Sequence, residues 1–324
     1  RAEVRDRFPD QVDGFDRLTT FVREFDPFAD DLRIEDARPV LAGFITEPIL
    51  LEMILCPLMY YGSARAGDMD LDQFVILFRS LYLEGFGRPI EGVRRILRLL
   101  QKKFRTLGGE RKMKCGISRI EVANGRAKSL ILDDGQAITA DIVLSSIGAV
   151  ETARLCEDQA PSTSSEDIGR ITYVETITVL DRQPADFGWN DTIVFFSNRE
   201  NFFSDCPEEL VDTAGGILCF PNNYDYADGQ QLDEGFLRIT ALANYEGWNG
   251  MTEDKYLGQK AVWSDRLTEG ALKILPSINR IDLERSTLAT DMFTPRTVKK
   301  YTGHLAGAIY GSHRKIRDGR TQPT

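Results

Sequence analysis

The chain has 324 residues, 42% hydrophobic and 28% charged, enough apolar material for one large domain or two intertwined ones. Its formal net charge of −10 argues against a nucleic-acid partner, because a phosphate backbone selects a basic surface. Five cysteines without CxxC spacing, and only two histidines (His304 and His313), argue against a zinc or iron–sulfur site; no metal is expected. An odd cysteine count in a chain of this length fits reduced, buried thiols in a cytosolic compartment. No signal or transit segment is visible at residue 1, so the expected location is cytoplasmic, with a peripheral membrane contact as a further option.

Residues 1–110 read as mostly helical. Phe15, Leu18, Phe21, Val22 and Phe25 recur at three- and four-residue steps, with Asp10 after Pro9 placed to cap their helix. Pro48 to Tyr61 is the longest apolar stretch. Interrupted by Glu52 and short of the about 20 residues a bilayer requires, it reads as a core helix or as a surface dipping into a membrane interface. Leu71, Phe74, Val75, Phe78 and Leu81 repeat the helical period. So do Ile90, Val93, Ile96, Leu97, Leu100, Phe104 and Leu107, stopped by Gly108 and Gly109. Arg94, Arg95, Arg98, Lys102, Lys103 and Arg105 interleave with that last set as a solvated basic face.

The period then changes from 3.6 to 2. Ile117 to Val122, Ala127 to Leu132 and Ile138 to Ser145 form three expected strands, joined by the turns Asn124-Gly125 and Asp133-Asp134-Gly135. Residues 156–170, acidic, Ser-rich and broken by Pro161, read as a surface loop. Further strands are expected at 171–180, 192–197, 216–220, 236–243 and near 280–287, and a helix over 252–275. The tail 301–324 shows no period, and no internal repeat or low-complexity tract occurs. Helices, then a meander, then a mixed section indicate an α+β fold whose domains thread through each other.

Motifs for chemistry are sparse. The chain has no GxSxG elbow, no P-loop and no GxGxxG, and neither Gly85-Phe86-Gly87 nor Gly108-Gly109 leads from a strand into a helix. Residue chemistry alone therefore stops at a globular α+β protein.

Three segments in order carry more. Gly87-Arg88-Pro89-Ile90-Glu91-Gly92 precedes an amphipathic helix and Gly108-Gly109. The meander has Ile117 and Ile120 at Val-x-x-Ile positions and ends Ala140-Asp141-Ile142-Val143. From Trp248 onward come Tyr256, Lys260, Thr294-Pro295-Arg296-Thr297, Tyr301, Gly307 and Tyr310-Gly311. Together they resemble the flavoprotein superfamily of phytoene desaturases, carotenoid isomerases and retinol saturases, within the wider amine oxidase superfamily. Read without the resemblance, Trp248 and Tyr256 are core aromatics, Thr294-Pro295 is loop punctuation, and Arg296 and Lys299 are solvated cations.

The resemblance implies a glutathione reductase-type α/β FAD-binding fold, incomplete here, with the meander threaded into a helical and mixed-sheet substrate domain. It implies residues 1–86 as the helical part of the substrate domain and 87–150 as a remnant of the FAD-binding domain. Residues 151–293 would be the mixed-sheet substrate domain, and 294–324 the return toward FAD. It implies Ile117, Ser145, Ser146, Gly148 and Gly92 as cofactor-side residues, and Trp248, Tyr256, Thr294, Tyr301 and Tyr310 as substrate- or flavin-facing candidates. Glu91 stands where the family has a first glycine. The implied function is FAD-dependent desaturation, isomerisation or saturation of an apolar polyene or isoprenoid-like molecule, with no catalytic residue assignable. The family's GxGxxG unit and closing Gly-rich segment are not in the chain, so a fragment truncated at both ends is expected, inactive alone and with FAD absent or weakly bound. Two alternatives stand beside this: a non-catalytic escort protein resembling GDP-dissociation inhibitors, and an amine oxidase relative with a small polar substrate.

Overall fold

The computed structural model describes residues 1–29, 34–85, 87–89, 92–157, 167–226, 231–276 and 278–312. The first section is helical: α1 (Ala2–Arg7), α2 (Val12–Glu24), α3 (Ala37–Ala42), α4 (Pro48–Gly62) and α5 (Leu71–Phe78), the last running into a π-helical stretch at Arg79–Glu84. Leu18, Val22, Leu41, Leu55, Leu58, Phe74 and Phe78 are buried in one core between these helices. Asp10 does not cap α2. Pro9 opens a 3-10 turn over Pro9–Gln11, and α2 starts after it. Gln11 Oε1 instead accepts from the Thr46 and Glu47 amides at 2.8 and 3.2 Å, tying the start of α2 to the start of α4. A side chain at Gly14 would collide with the Phe44 carbonyl, so only glycine permits that crossing. The Arg79 guanidinium donates to the Val22 and Phe25 carbonyls and so caps the C-terminus of α2.

Helix α6 (Val93–Thr106) buries none of its side chains among the described residues. The meander follows as β1 (Ile117–Ala123), β2 (Arg126–Leu132) and β3 (Ala137–Ile138). Asn124 and Gly125 have φ of 55° and 70°, as the tight hairpin turn requires. The third strand is much shorter than the alternation predicts. Only Ala137 and Ile138 join the ladder, opposite Ile131 and Leu130; the chain leaves β2 after Ile138, and Ile142 and Leu144 are 86% and 94% exposed. Helix α7 (Ala149–Leu155) leads out of the meander, and Cys156 bridges to Ile120 on β1.

The remainder is a five-stranded antiparallel sheet in the order β5-β6-β7-β4-β8, from β4 (Tyr173–Leu180), β5 (Ile193–Ser197), β6 (Gly215–Cys219), β7 (Gly235–Leu242) and β8 (Thr287–Phe293). Helices α8 (Tyr245–Asn249), α9 (Glu253–Leu272), α10 (Arg280–Ser286) and α11 (Pro295–Thr302) accompany it. The strand expected near 280–287 is α10, because the Asn279 side chain accepts from the Asp282 amide and starts a helix; the strand begins at Thr287. The last two residues of α11 fall in the tail expected from 301 onward; the helix itself is opened by a Thr294–Thr297 capping box with Pro295 at its first position. Most of the expected loop at 156–170, namely 158–166, lies outside the described residues, as does Ile90.

The sheet has two unlike faces. Val174, Leu237, Ile239 and Leu218 point into a second core with Trp248, Tyr256, Trp263 and Leu267. Tyr173 and Leu242, of opposite parity, join the first core with Tyr60 of the helical section and Phe202 of the segment between β5 and β6. The α+β class holds.

Candidate functional site

Strand register brings residues distant in sequence onto one face of the sheet. Cys219 stands opposite Arg238, Arg238 opposite Ile177, Thr240 opposite Glu175, and Phe236 opposite Val179. On the neighbouring strand Phe293 stands opposite Glu175. The period of two gives these residues the parity of Tyr173 and Leu242. The Tyr173 end of this face is covered by α4, where Tyr60 and Tyr61 lie against Phe195 with ring centroids 6.4 and 5.6 Å apart. The face is partly open toward the edge strand β8: Ile177 and Phe293 are each 37% exposed.

A polar rim lies between the two halves. Arg238 donates from Nε and Nη2 to Glu175 Oε1 at 3.1 and 2.6 Å, and Thr240 donates to Glu175 Oε2 at 3.1 Å. Cys219 Sγ is 3.7 Å from Tyr224 Oη, and the Arg88 guanidinium stacks over the Tyr224 ring at 5.1 Å. Burial pushes the Cys219 thiol above its ordinary range, partly opposed by the Tyr224 hydrogen bond and by Arg238. Burial also raises Tyr61, and with the Cys219 neighbour it lifts Tyr224 to about 12. Burial alone would lower Arg238, but Glu175 outweighs it and holds the guanidinium charged. Near neutral pH the rim thus presents protonated hydroxyl and thiol groups and one internally compensated ion pair. Among its described residues there is no free general base.

Of the residues singled out from the sequence, Gly92 and Tyr310 lie next to this rim. Gly92, with φ of 69°, begins α6 beside the Arg88 guanidinium. Tyr310 packs edge-on against Tyr173 at 6.0 Å and donates to the Tyr60 carbonyl in the last turn of α4; burial lifts its phenol to about 12. Trp248, Tyr256 and Thr294 come together in the second core. Trp248 is 0% exposed, its Nε1 donates to the Leu210 carbonyl at 3.0 Å, and its ring meets Tyr256 at 5.8 Å. Tyr256 Oη lies 2.8 Å from Thr294 Oγ1. Tyr301 is 76% exposed and carries Lys300 over its ring. Arg296 stacks on Tyr256 at 4.1 Å and pairs with Glu253, and Lys299 donates to Tyr245 Oη at 2.7 Å.

Tyr61, Glu175, Cys219, Tyr224 and Arg238 escape the sequence motifs, and Arg88 enters them only as a member of Gly87-Arg88-Pro89-Ile90-Glu91-Gly92. Their one local signal is a charged residue at an inward parity of an apolar strand, Glu175 in Tyr173–Leu180 and Arg238 in Gly235–Leu242. A cleft of about 600 Å3 opens elsewhere, between α9, α10 and β8. Its Lys260 pairs with Asp291 and its Arg280 with Asp265 and Glu284, and it touches none of the rim residues, so it is not the site argued here.

No protein-family model matches the chain. It is similar to prolycopene isomerase, chloroplastic, of Daucus carota, 23% identical over 283 residues, which cover 86% of this chain and 44% of that protein. Its fold is similar to the crystal structure of an oxidoreductase from Methanosarcina mazei, with a TM-score of 0.56 at 13% identity, covering 89% of this chain and 61% of that one. The chain thus spans less than half the length of the curated relative.

The cofactor-side residues fit a bound FAD unequally. β1 is the outer strand of the meander, so backbone groups at its Ile117 end are available to an adenine edge. Ser145 is held by Thr152, its hydroxyl 2.7 Å from Thr152 Oγ1, and Ser146 is exposed. Gly148 begins α7, but the Glu151 carboxylate folds back onto it and accepts from the Leu305 amide at 2.9 Å. That helix end already holds an anion, so Gly148 does not fit a pyrophosphate.

Proposed function

We propose that this chain is the substrate-facing part of an FAD-dependent oxidoreductase of the carotenoid desaturase and isomerase type, acting on an apolar polyene or isoprenoid-like molecule. The observation that carries the reading is the half-open sheet face, apolar at Ile177, Val179, Phe236 and Phe293 and edged by protonated donors. The similarity to a prolycopene isomerase along 86% of the chain supports it. In this reading residues 87–150 and 294–324 belong to the FAD side, and 1–86 and 151–293 to the substrate side.

FAD, when bound, supplies the electron or hydride chemistry. The residues of this chain have simpler tasks. The apolar side chains hold the polyene against the sheet and exclude water. Arg238 and Glu175 cancel each other's charge beside the polyene, and among the described residues the Arg88 guanidinium is the charge left at the rim. The raised Cys219 and Tyr224 keep their protons and do not remove one from the substrate. Ile117 would hold the adenine through its backbone.

The test expresses the complete open reading frame containing this chain and incubates the purified protein with a cis-polyene under reducing conditions. The expected result is flavin co-purification and a change in polyene geometry or saturation resolved by chromatography. Flavin without any polyene conversion, and with turnover of an amine instead, would replace this reading with the amine oxidase alternative.

A further inference from the structure

We propose that the site accepts an apolar chain ending in a carboxylate, with the carboxylate at Arg88 and Tyr224 and the chain laid across Ile177, Val179, Phe236 and Phe293. The inference rests on reading this face as the substrate site and narrows the substrate class. Of the two guanidinium groups at the rim, Arg238 is neutralised by Glu175 in a short contact. Arg88 stacks on Tyr224, and no carboxylate of the described residues pairs with it. Among the described residues the rim thus carries one positive charge with no carboxylate partner.

Around that charge the groups are donors. Burial keeps the Tyr224 phenol and Cys219 thiol protonated, and Cys219 stands opposite Arg238 in the ladder. The same ladder continues from Arg238 to Ile177, so the polar end and the apolar patch form one continuous surface. Cys219 and Tyr224 share one hydrogen bond, so a hydrocarbon covering this surface would desolvate the Arg88 guanidinium and the remaining donor of that pair without satisfying them. A carboxylate accepts several hydrogen bonds at once and gains from the charge. An ammonium end would be repelled. A single uncompensated guanidinium matches a monoanion better than a phosphate, which carries more charge.

The experiment titrates the full-length protein with retinoic acid, its methyl ester and geranyl phosphate, reading Kd by equilibrium dialysis and flavin content by absorbance on the same samples. The acid is expected to bind at least about tenfold more tightly than the ester, the effect of one charge-assisted contact. Arg88 is exposed, so Arg88→Gln leaves the fold intact; it should bring the acid within about twofold of the ester, while Arg88→Lys keeps part of the preference. Equal binding of acid and ester, an unchanged preference in Arg88→Gln, or tighter binding of geranyl phosphate would each overturn the inference. Flavin present with no acid preference sinks this inference alone. An acid preference in protein that never holds flavin sinks the flavoprotein reading alone.

Discussion

Replacing Trp248 separates a core role from a ligand-contacting one. Its side chain is wholly buried, its indole N–H is used by the Leu210 carbonyl, and its ring abuts Tyr256. Removing such a ring costs about 3–5 kcal/mol through lost transfer energy and the cavity left behind. The orphaned carbonyl puts Trp248→Ala at the upper end of that range. Against a total stability of about 5–15 kcal/mol, that variant folds marginally. Trp248→Phe is the usable probe, because it keeps most of the ring and loses chiefly the N–H, a cost of about 1–2 kcal/mol. Urea unfolding followed by far-UV circular dichroism reads the loss, and equilibrium dialysis with retinoic acid reads the site. A core role predicts a lower midpoint with an unchanged slope, and an unchanged Kd for the folded protein. Parent-like stability with Kd weakened about tenfold or more would refute the placement of Trp248 in the core and return it to the ligand.

Tyr256→Phe and Thr294→Val should each destabilise the chain, and their double-mutant cycle should show a coupling of about 1 kcal/mol from the shared hydroxyl contact, read by the same unfolding assay. Glu175→Gln leaves the Arg238 guanidinium half-buried and uncompensated. After discounting for its partial exposure to water, the expected loss of unfolding free energy is about 1–2 kcal/mol; an unchanged urea midpoint would contradict the pairing. Alkali should unfold the protein early, because raised folded-state values favour the protonated groups. Tyr224 and Tyr310 titrate from 10.0 when free and about 12 in the fold, so their stabilisation is full below pH 10 and lost as pH rises through about 12. Tyr224→Phe should soften that loss in pH-dependent melting curves. Iodoacetamide should alkylate Cys219 slowly at neutral pH and faster only well above pH 9, and peptide mapping would show the reverse were the thiolate stabilised.

Much of the fold was legible because periodicity and turn chemistry act locally. The 3.6-residue spacing of Phe15, Leu18 and Val22 located α2, and Asn124-Gly125 fixed the hairpin between β1 and β2. The misreadings share a cause: a tertiary partner decides the outcome. Ile138 to Ser145 has the alternation of a strand, yet a ladder needs a neighbour, and only two residues found one. Residues 280–286 read as strand until the Asn279 cap is weighed. The site was less legible than the fold. Trp248, Tyr256 and Thr294 do cluster, as their shared segment suggested, but around a packed core. Glu175, Cys219 and Arg238 come from three strands whose pairing order no local pattern states, since β4 sits between β7 and β8 and not beside β5. Gly92 comes near the rim because it opens α6 beside Arg88, and Tyr310 because it packs on Tyr173 of β4.

Whether this chain forms the substrate-facing part of a flavoenzyme is decided by the visible spectrum of the protein expressed from its complete open reading frame. Oxidised-flavin bands at about 370 and 450 nm that bleach on reduction are expected. Well-folded protein without those bands, including after incubation with added FAD, would contradict that role.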